Sequence, residues 1–281
     1  MTGHVTGYAT ASHAPLDMVV NVGNQRAVTA VLAVVVAILA IWALRTWITE
    51  RDPLMFVLLA GGGLGVLNEP IVDLLGNVWF ARPNQQVAVE WFGMAVPVWG
   101  VLAYVAYFGW MPYLLYRWAR RGLTRAQFRK LVLVAFLVNL AIEIPILQTG
   151  LYVYFGYSPM QFAGLPTYWL LINAGGPVLC AVLLVHVRGV FSGPGLALLA
   201  VLPMTTDAAM SLAIGWPAFV GLHQGDGNPP HAVAWVGCIG TIVLGTIILD
   251  QLGRALALPT AEARSASTRE RNVAMIAKGV G

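Results

Sequence analysis

AVTAVLAVVVAILAIWALRTWIT, residues 27–49, decides the fold. A helix needs about 20 predominantly apolar residues to cross a bilayer, and this block supplies them. Six more such blocks follow, at 53–79, 91–118, 131–154, 165–188, 194–217 and 231–253. The reading is an all-α integral membrane bundle of seven transmembrane helices. It divides the chain into a polar N-terminal segment at 1–26, a transmembrane domain at 27–254 and a disordered tail at 255–281. The tail from Thr260 onward is rich in Ala, Ser and Arg, a composition that buries little apolar surface.

Composition excludes the other broad classes. Of 281 residues, 58% are apolar and 10% charged, whereas a soluble domain carries roughly 25% charged residues. Mean hydropathy is +0.74. A cytosolic enzyme, a secreted disulfide scaffold and a nucleic-acid reader are set aside. The net charge of +4 then reports loop orientation rather than a polyanionic partner. Residues 1–25 lack a basic region followed by an apolar one, so no cleavable signal peptide is expected. Cys180 and Cys238 fall in different blocks at different depths and are expected as free thiols.

Arginine placement sets the orientation. Arg45 and Arg51 lie between blocks one and two, and Arg117, Arg120, Arg121, Arg125, Arg129 and Lys130 between three and four. Arg188 follows block five, and Arg254, Arg264, Arg269, Arg271 and Lys278 follow block seven. The opposite loops hold Arg82 alone. Cytoplasmic loops collect Lys and Arg, so the N-terminus is expected outside, the C-terminus in the cytoplasm, and the protein as a multi-pass protein of the cell membrane. Seven spans also suit a retinal protein, but Lys130 and Lys278 both lie outside the predicted spans, which excludes a Schiff base.

A loose pattern repeats three times. Block two carries Glu69, followed by Trp79, a loop, then Pro97 and Trp99. Block four carries Glu143, followed by Tyr152 and Tyr154, a loop, then Pro166 and Trp169. Block six carries Asp207, followed by Trp216, a loop, then Pro230, His231 and Trp235. Three hairpins around one cavity are expected, with the first helix as an extra element. Trp79, Tyr152 and Trp216 fit an interfacial aromatic belt equally well. Trp99 and Trp169 lie deeper and fit a cavity.

Carboxylates inside spans cost about 2.5–3.5 kcal/mol each and face a bundle interior or water. Glu69 is sixteen residues beyond Pro53, about 24 Å of helical rise, and so sits in the outer leaflet. Asp73 lies one turn further on the same face. Gly62, Gly65 and Gly76 share roughly that face, where they would admit a neighbouring helix or a ligand. Glu143 follows Asn139 by one turn, and Pro145 frees the carbonyl of Ala141 beside it. Asp207 has Pro203 one turn earlier. Glu69, Asp73, Glu143 and Asp207 are therefore expected to converge on the outer half, with Asn68, Gln148, Asn173 and His231 able to join them. Glu90 is read as solvated, and Asp250 as the partner of Arg254.

Four acids without an intramembrane base are not simple ion pairs. They form either a polar lock between helices or a site. A carboxyl group kept from water favours its neutral form, which is what a general acid needs. Glu143, in a mostly aliphatic stretch, is the first expectation for that acid, and the Glu69–Asp73 pair the second. Aromatic faces would hold a carbocation by cation–π attraction. Trp99, Tyr104, Tyr152, Trp169, Trp216 and Trp235, with Asn139, Asn173 and His231, are the expected binding residues. The chain has no phosphate loop, no HExxH, no DDxxD, no DxDD and no G-x-S-x-G, and its histidines are scattered. No metal or cofactor is expected. The expected partners are the bilayer and a hydrophobic isoprenoid-type small molecule, and the oligomeric state is not set by the sequence.

The stretch Glu143…Thr149-Gly150-Leu-Tyr152-Val-Tyr154-Phe-Gly156, with Gly164-Leu-Pro166-Thr-Tyr-Trp169, resembles carotenoid-modifying integral-membrane hydratases and the heterodimeric lycopene cyclases. Paired acids on different helices of a seven-span layout also resemble the integral-membrane terpene cyclases of meroterpenoid pathways. The likeness covers helices two to seven. It implies a terpenoid cyclase in which Glu69, Glu143 and Asp207 protonate an alkene or epoxide and quench the cation. It does not require Asp73, and the fuller Gly/Pro/Phe/Tyr run of the hydratases is absent. A non-catalytic lipid-binding or partner subunit and a proton-coupled transporter are the alternatives. The orientation has a direct check. A cysteine placed between Arg117 and Lys130 should react with an impermeant maleimide only after the cytoplasmic face is opened, and labelling of intact cells would reverse the topology.

Overall fold

The computed structural model describes residues 13–225 and 229–278, with side chains as far as Leu256. It is mostly helical. Among the described residues, seven helical segments are long and apolar enough to cross a membrane: Val22–Glu50, Leu54–Gly76, Val98–Arg120, Arg125–Gln148, Trp169–Val190, Gly193–Leu222 and His231–Leu256. They are called spans 1 to 7 here. Cys180 and Cys238 are free and buried.

The spans differ from the sequence reading mostly at the ends away from the arginine-rich loops. The expectation of a bundle without sheet is corrected. Three two-stranded antiparallel ribbons occupy the loops after spans 2 and 4. They are built from β1 (Val78–Phe80), β2 (Val87–Trp91), β3 (Met94–Pro97), β4 (Tyr152–Tyr154), β5 (Gln161–Phe162) and β6 (Leu165–Pro166). β2 pairs with its neighbour β3, and β5 with β6. β1 pairs with the distant β4 in the register Val78 to Tyr154, Trp79 to Val153 and Phe80 to Tyr152. That ribbon ties the end of span 2 to the end of span 4. The helix of span 4 stops at Gln148 rather than 154 because Gly150 takes φ +69° and the following Tyr-Val-Tyr suits a strand. Span 3 likewise begins at Val98 rather than 91.

Prolines interrupt several of the spans. Pro70 has no N–H to offer the carbonyl of Val66. The N–H of Glu69 takes that carbonyl instead, and Val66–Asn68 tightens into a 3₁₀ turn. In span 3 a π-helical stretch, Val105–Gly109, precedes Pro112. Pro112 cannot bond the carbonyl of Phe108, and the wider turn accommodates the loss. Spans 4, 5 and 6 contain Pro145, Pro177 and Pro217.

Small residues fix how closely the spans approach. Gly62 on span 2 and Gly109 on span 3 lie backbone to backbone. Gly65 faces the ring of Tyr104, and Gly76 faces the ring of Trp169. The glycine face read from span 2 is therefore a packing face that also seats two aromatic rings.

Ion pairs collect at the opposite, arginine-rich end. Asp250 bonds Arg125 at 2.7 Å, Arg254 at 3.1 Å and Arg129 at 3.5 Å. Asp52 bonds Arg188 at 3.0 Å, and Glu50 pairs with Arg117. Lys130 lies within span 4, not outside it, because the Thr124 capping box starts that helix at Arg125.

Both termini carry more structure than their composition suggested. Met18 and Val20 are buried, and the N–H of Val20 donates to the carbonyl of Pro83 at 3.1 Å, so residues 18–20 are seated on the loop after β1. Residues 1–12 of the expected polar segment lie outside the described residues. The last helix continues to Lys278, over the stretch expected to be disordered. Its Ala, Glu and Arg are strong helix formers, and local propensity prevails over the lack of apolar surface.

The Gly62–Gly109 crossing gives a packing test. A Cβ at Gly62 would stand 2.7 Å from Gly109 Cα and 2.9 Å from the Tyr104 carbonyl. Backbone cannot rotate away as a side chain can. Gly62→Ala should therefore cost about 1–3 kcal/mol, read as a lowered unfolding midpoint in detergent. Gly195→Ala meets nothing within 4 Å and should leave the midpoint unchanged.

Candidate functional site

Spans 2 to 6 and the β1–β4 ribbon enclose one cavity of about 100 Å³. All four intramembrane acids singled out from the sequence line it: Glu69, Asp73, Glu143 and Asp207. So do Trp99, Tyr104, Asn139, Tyr152, Trp169 and Asn173. No Lys, Arg or His is among its lining residues.

The ribbon forms one wall. Alternate residues of paired strands point to one face, so Val78, Phe80, Tyr152 and Tyr154 all reach the cavity, while Trp79 and Val153 point away. Phe80, Trp99 and Tyr152 make a mutual cluster with centroids 5.6–5.9 Å apart. Tyr154 meets Trp169 at 5.8 Å. Tyr107 and Phe108 come from the π-helical stretch of span 3.

The acids differ in how they are served. Glu143 accepts four hydrogen bonds. Asn139 Nδ2 and Asn173 Nδ2 donate to Oε1 at 2.9 and 2.8 Å, and the Tyr152 and Tyr154 hydroxyls donate to Oε2 at 2.8 and 3.0 Å. The expectation of an aliphatic neighbourhood for Glu143 is corrected. Beyond Asn139 on the same helix, its polar partners come from span 5 and β4, which adjacency in sequence does not show. Burial and the nearby Glu143 carboxylate push both phenols well above their ordinary range, so each stays a proton donor. Four donors suit the acceptor-only, ionised carboxylate.

Asp207 accepts from Asn68 Nδ2 at 2.9 Å and Ser211 Oγ at 3.4 Å. Asn68 also donates to the Met204 carbonyl at 2.8 Å, which anchors the 3₁₀ turn of span 2 to span 6. On the other side, Gly176 lets span 5 pack closely on span 6 at the same residue. A Cβ there would stand 2.9 Å from Asp207 Cα. Glu69 is bonded by the Tyr104 hydroxyl. Asp73 stands apart. It is 3% exposed, and its Oδ2 is buried with no hydrogen-bond partner. The Tyr107 hydroxyl, also lining the cavity, is likewise buried and unpartnered.

Three expected binding residues lie elsewhere. Trp216 is 56% exposed, pointing outward from span 6. His231 stacks on Tyr157 with centroids 3.9 Å apart, and Trp235 donates its indole N–H to the Tyr157 hydroxyl at 3.0 Å. The start of span 7 thus closes on the loop after β4 instead of the cavity. Gln148 bonds the Ala163 carbonyl, and Glu90 is exposed, as the sequence reading has it, and pairs with Arg82 at 2.9 Å. The cavity draws on spans 3 and 5 as much as on 2, 4 and 6.

Phe80, Tyr154, Tyr107 and Ser211 are lining residues that sequence reasoning passed over. Tyr-Val-Tyr at 152–154 carried a usable signal, because period-two aromatics share a strand face. Reading that stretch as helix concealed it. Among the described residues, no group of three or more His, Cys, Asp or Glu is arranged to hold a metal ion. Comparison with protein-family models, characterised proteins and solved structures found no match.

The Glu143 cluster can be tested by stability alone. A hydrogen bond to a charged group contributes about 1.5–3 kcal/mol. Tyr154→Phe keeps the ring and removes one donor, so it should lower the unfolding midpoint by that order. Trp216→Phe, on the exposed face, should leave it unchanged.

Proposed function

We propose that this protein is an integral-membrane enzyme that protonates an alkene or epoxide of an isoprenoid substrate and then quenches the carbocation. The carrying observation is the unpartnered Asp73 Oδ2 in a cavity that also holds Glu69, Glu143 and Asp207 and no cationic side chain. A carboxyl group with one buried oxygen that receives no donor, and with no counter-charge in its cavity, is best accommodated neutral, and a neutral carboxyl has a proton to give.

The roles then separate by environment. Asp73 is the general acid. Glu69, one turn away, shares its proton through the pair. Glu143, with four donors, is the fixed anion that faces the developing cation and accepts the closing proton. Trp99, Phe80, Tyr152, Tyr154 and Trp169 offer ring faces to the cation. The cavity of about 100 Å³ holds the reacting end of an apolar chain rather than a whole large terpenoid. The concentration of Lys and Arg in alternate loops supports an N-terminus outside, a C-terminus in the cytoplasm and a site in the cell membrane.

Lipid extracts of cells expressing the chain, fed epoxy- or polyene-isoprenoids, supply the test. Asp73→Asn should lose turnover by about 10²–10⁴-fold, the usual contribution of acid–base catalysis. Glu69→Gln and Glu143→Gln should also fall, while Glu90→Gln and Asp250→Asn should match the unaltered protein. If Asp73, Glu69, Glu143 and Asp207 amide variants all convert an identified substrate, the carboxyl groups are structural and the proposal fails. Copurification of an unchanged isoprenoid without turnover would favour a lipid-binding role instead.

A further inference from the structure

A second pocket lies at the other end of span 3. It is about 460 Å³ and is lined by Arg117, Arg120, Arg121 and Arg188, with Glu50 and Asp52. Three separate chain segments build it: the turn between spans 1 and 2, the end of span 3 and the end of span 5. Four guanidinium groups against two carboxylates leave two positive charges in surplus.

The existing pairs position the arginines without exhausting them. Arg117 is held bidentate by Glu50, with its guanidinium 5.8 Å from the centre of the Tyr113 ring. Arg188 donates to Asp52 Oδ1 and to the Phe191 carbonyl, both at 3.0 Å, while its Nε is buried with no partner. Arg120 has one long contact, 3.5 Å to the Tyr116 hydroxyl. Arg121 donates no side-chain hydrogen bond among the described residues. A buried N–H left without an acceptor is costly, and arginine's fork matches the oxygens of a phosphate in pairs.

We infer that this arginine pocket binds a phosphate group, with Arg120, Arg121 and the Arg188 Nε as donors and Glu50 and Asp52 as the struts that hold the fork open. The surplus of two charges matches a phosphomonoester, which carries about −1.5 to −2 near neutral pH. The group could arrive on a soluble molecule or as the headgroup of a membrane lipid. The inference is independent of the chemistry proposed for the carboxylate cavity.

The test uses the full-length chain at fixed ionic strength set with sodium chloride. In one arm, inorganic phosphate is titrated into the protein in phosphatidylcholine nanodiscs. In the other, phosphatidic acid replaces part of the phosphatidylcholine. The unfolding midpoint is the readout. A rise with inorganic phosphate identifies a soluble source, and a rise with phosphatidic acid alone identifies a lipid headgroup. Arg120→Gln with Arg121→Gln removes the least engaged donors and should weaken the apparent Kd at least about tenfold. Arg45→Gln, exposed and outside the pocket, should leave it unchanged. No rise in either arm, or a rise equal in the double variant and in the unaltered protein, overturns the inference.

Discussion

Burying a carboxyl group within a bilayer is the constraint on which the rest of this structure turns. Each acid in a span carries a cost of about 2.5–3.5 kcal/mol, and four of them face one cavity. No cation lies among the lining residues to offset them. The remaining means are donors and protons. Asparagine and tyrosine donors surround Glu143, an asparagine and a serine serve Asp207, a tyrosine serves Glu69, and Asp73 Oδ2 has none. The elements that look irregular are largely those that deliver these donors.

Lipid tolerates irregular backbone only where protein or water covers it. Here the interruptions lie where acids and aromatic rings meet. The 3₁₀ turn before Pro70 carries Asn68 towards span 6, where it bonds Asp207. The π-helical stretch before Pro112 carries Tyr107 and Phe108 to the cavity. Pro177 withholds an N–H from the carbonyl of Asn173, whose side chain bonds Glu143. The β1–β4 ribbon then lets two tyrosines reach Glu143 from outside span 4. A straight helix to residue 154 would place Tyr152 and Tyr154 nine and eleven residues beyond Glu143, about 13.5 and 16.5 Å further along the axis.

This explains what could be read from the sequence. Seven long apolar blocks carry their own signal, and charge in the wrong solvent marks Glu69, Asp73, Glu143 and Asp207 directly. Proline-marked helix starts led to Trp99 and Trp169. The same repeat failed at its third member. Trp216 and Trp235 occupy corresponding places in sequence, yet they face outward and onto Tyr157 respectively. Loose repetition records chain direction but not the rotation of each helix about its axis. The ribbons were hidden for a different reason. Val78–Phe80 and Tyr152–Tyr154 are apolar enough to extend the hydropathy blocks, and hydropathy does not distinguish a buried three-residue strand from one more helical turn.

The unequal service of the four acids is also an argument about chemistry. A purely structural polar lock gains most when every member is satisfied, because a partly satisfied buried network is less favourable than an apolar core. Glu143 meets that condition and Asp73 does not. Leaving one carboxyl oxygen and the Tyr107 hydroxyl bare in the same cavity costs stability that an apolar residue at either position would recover. Such a deficit is rational where a ligand or a transferring proton completes the network during function. The contrast between a saturated Glu143 and an unsaturated Asp73 therefore weighs against a lock alone and agrees with the acid role proposed for Asp73.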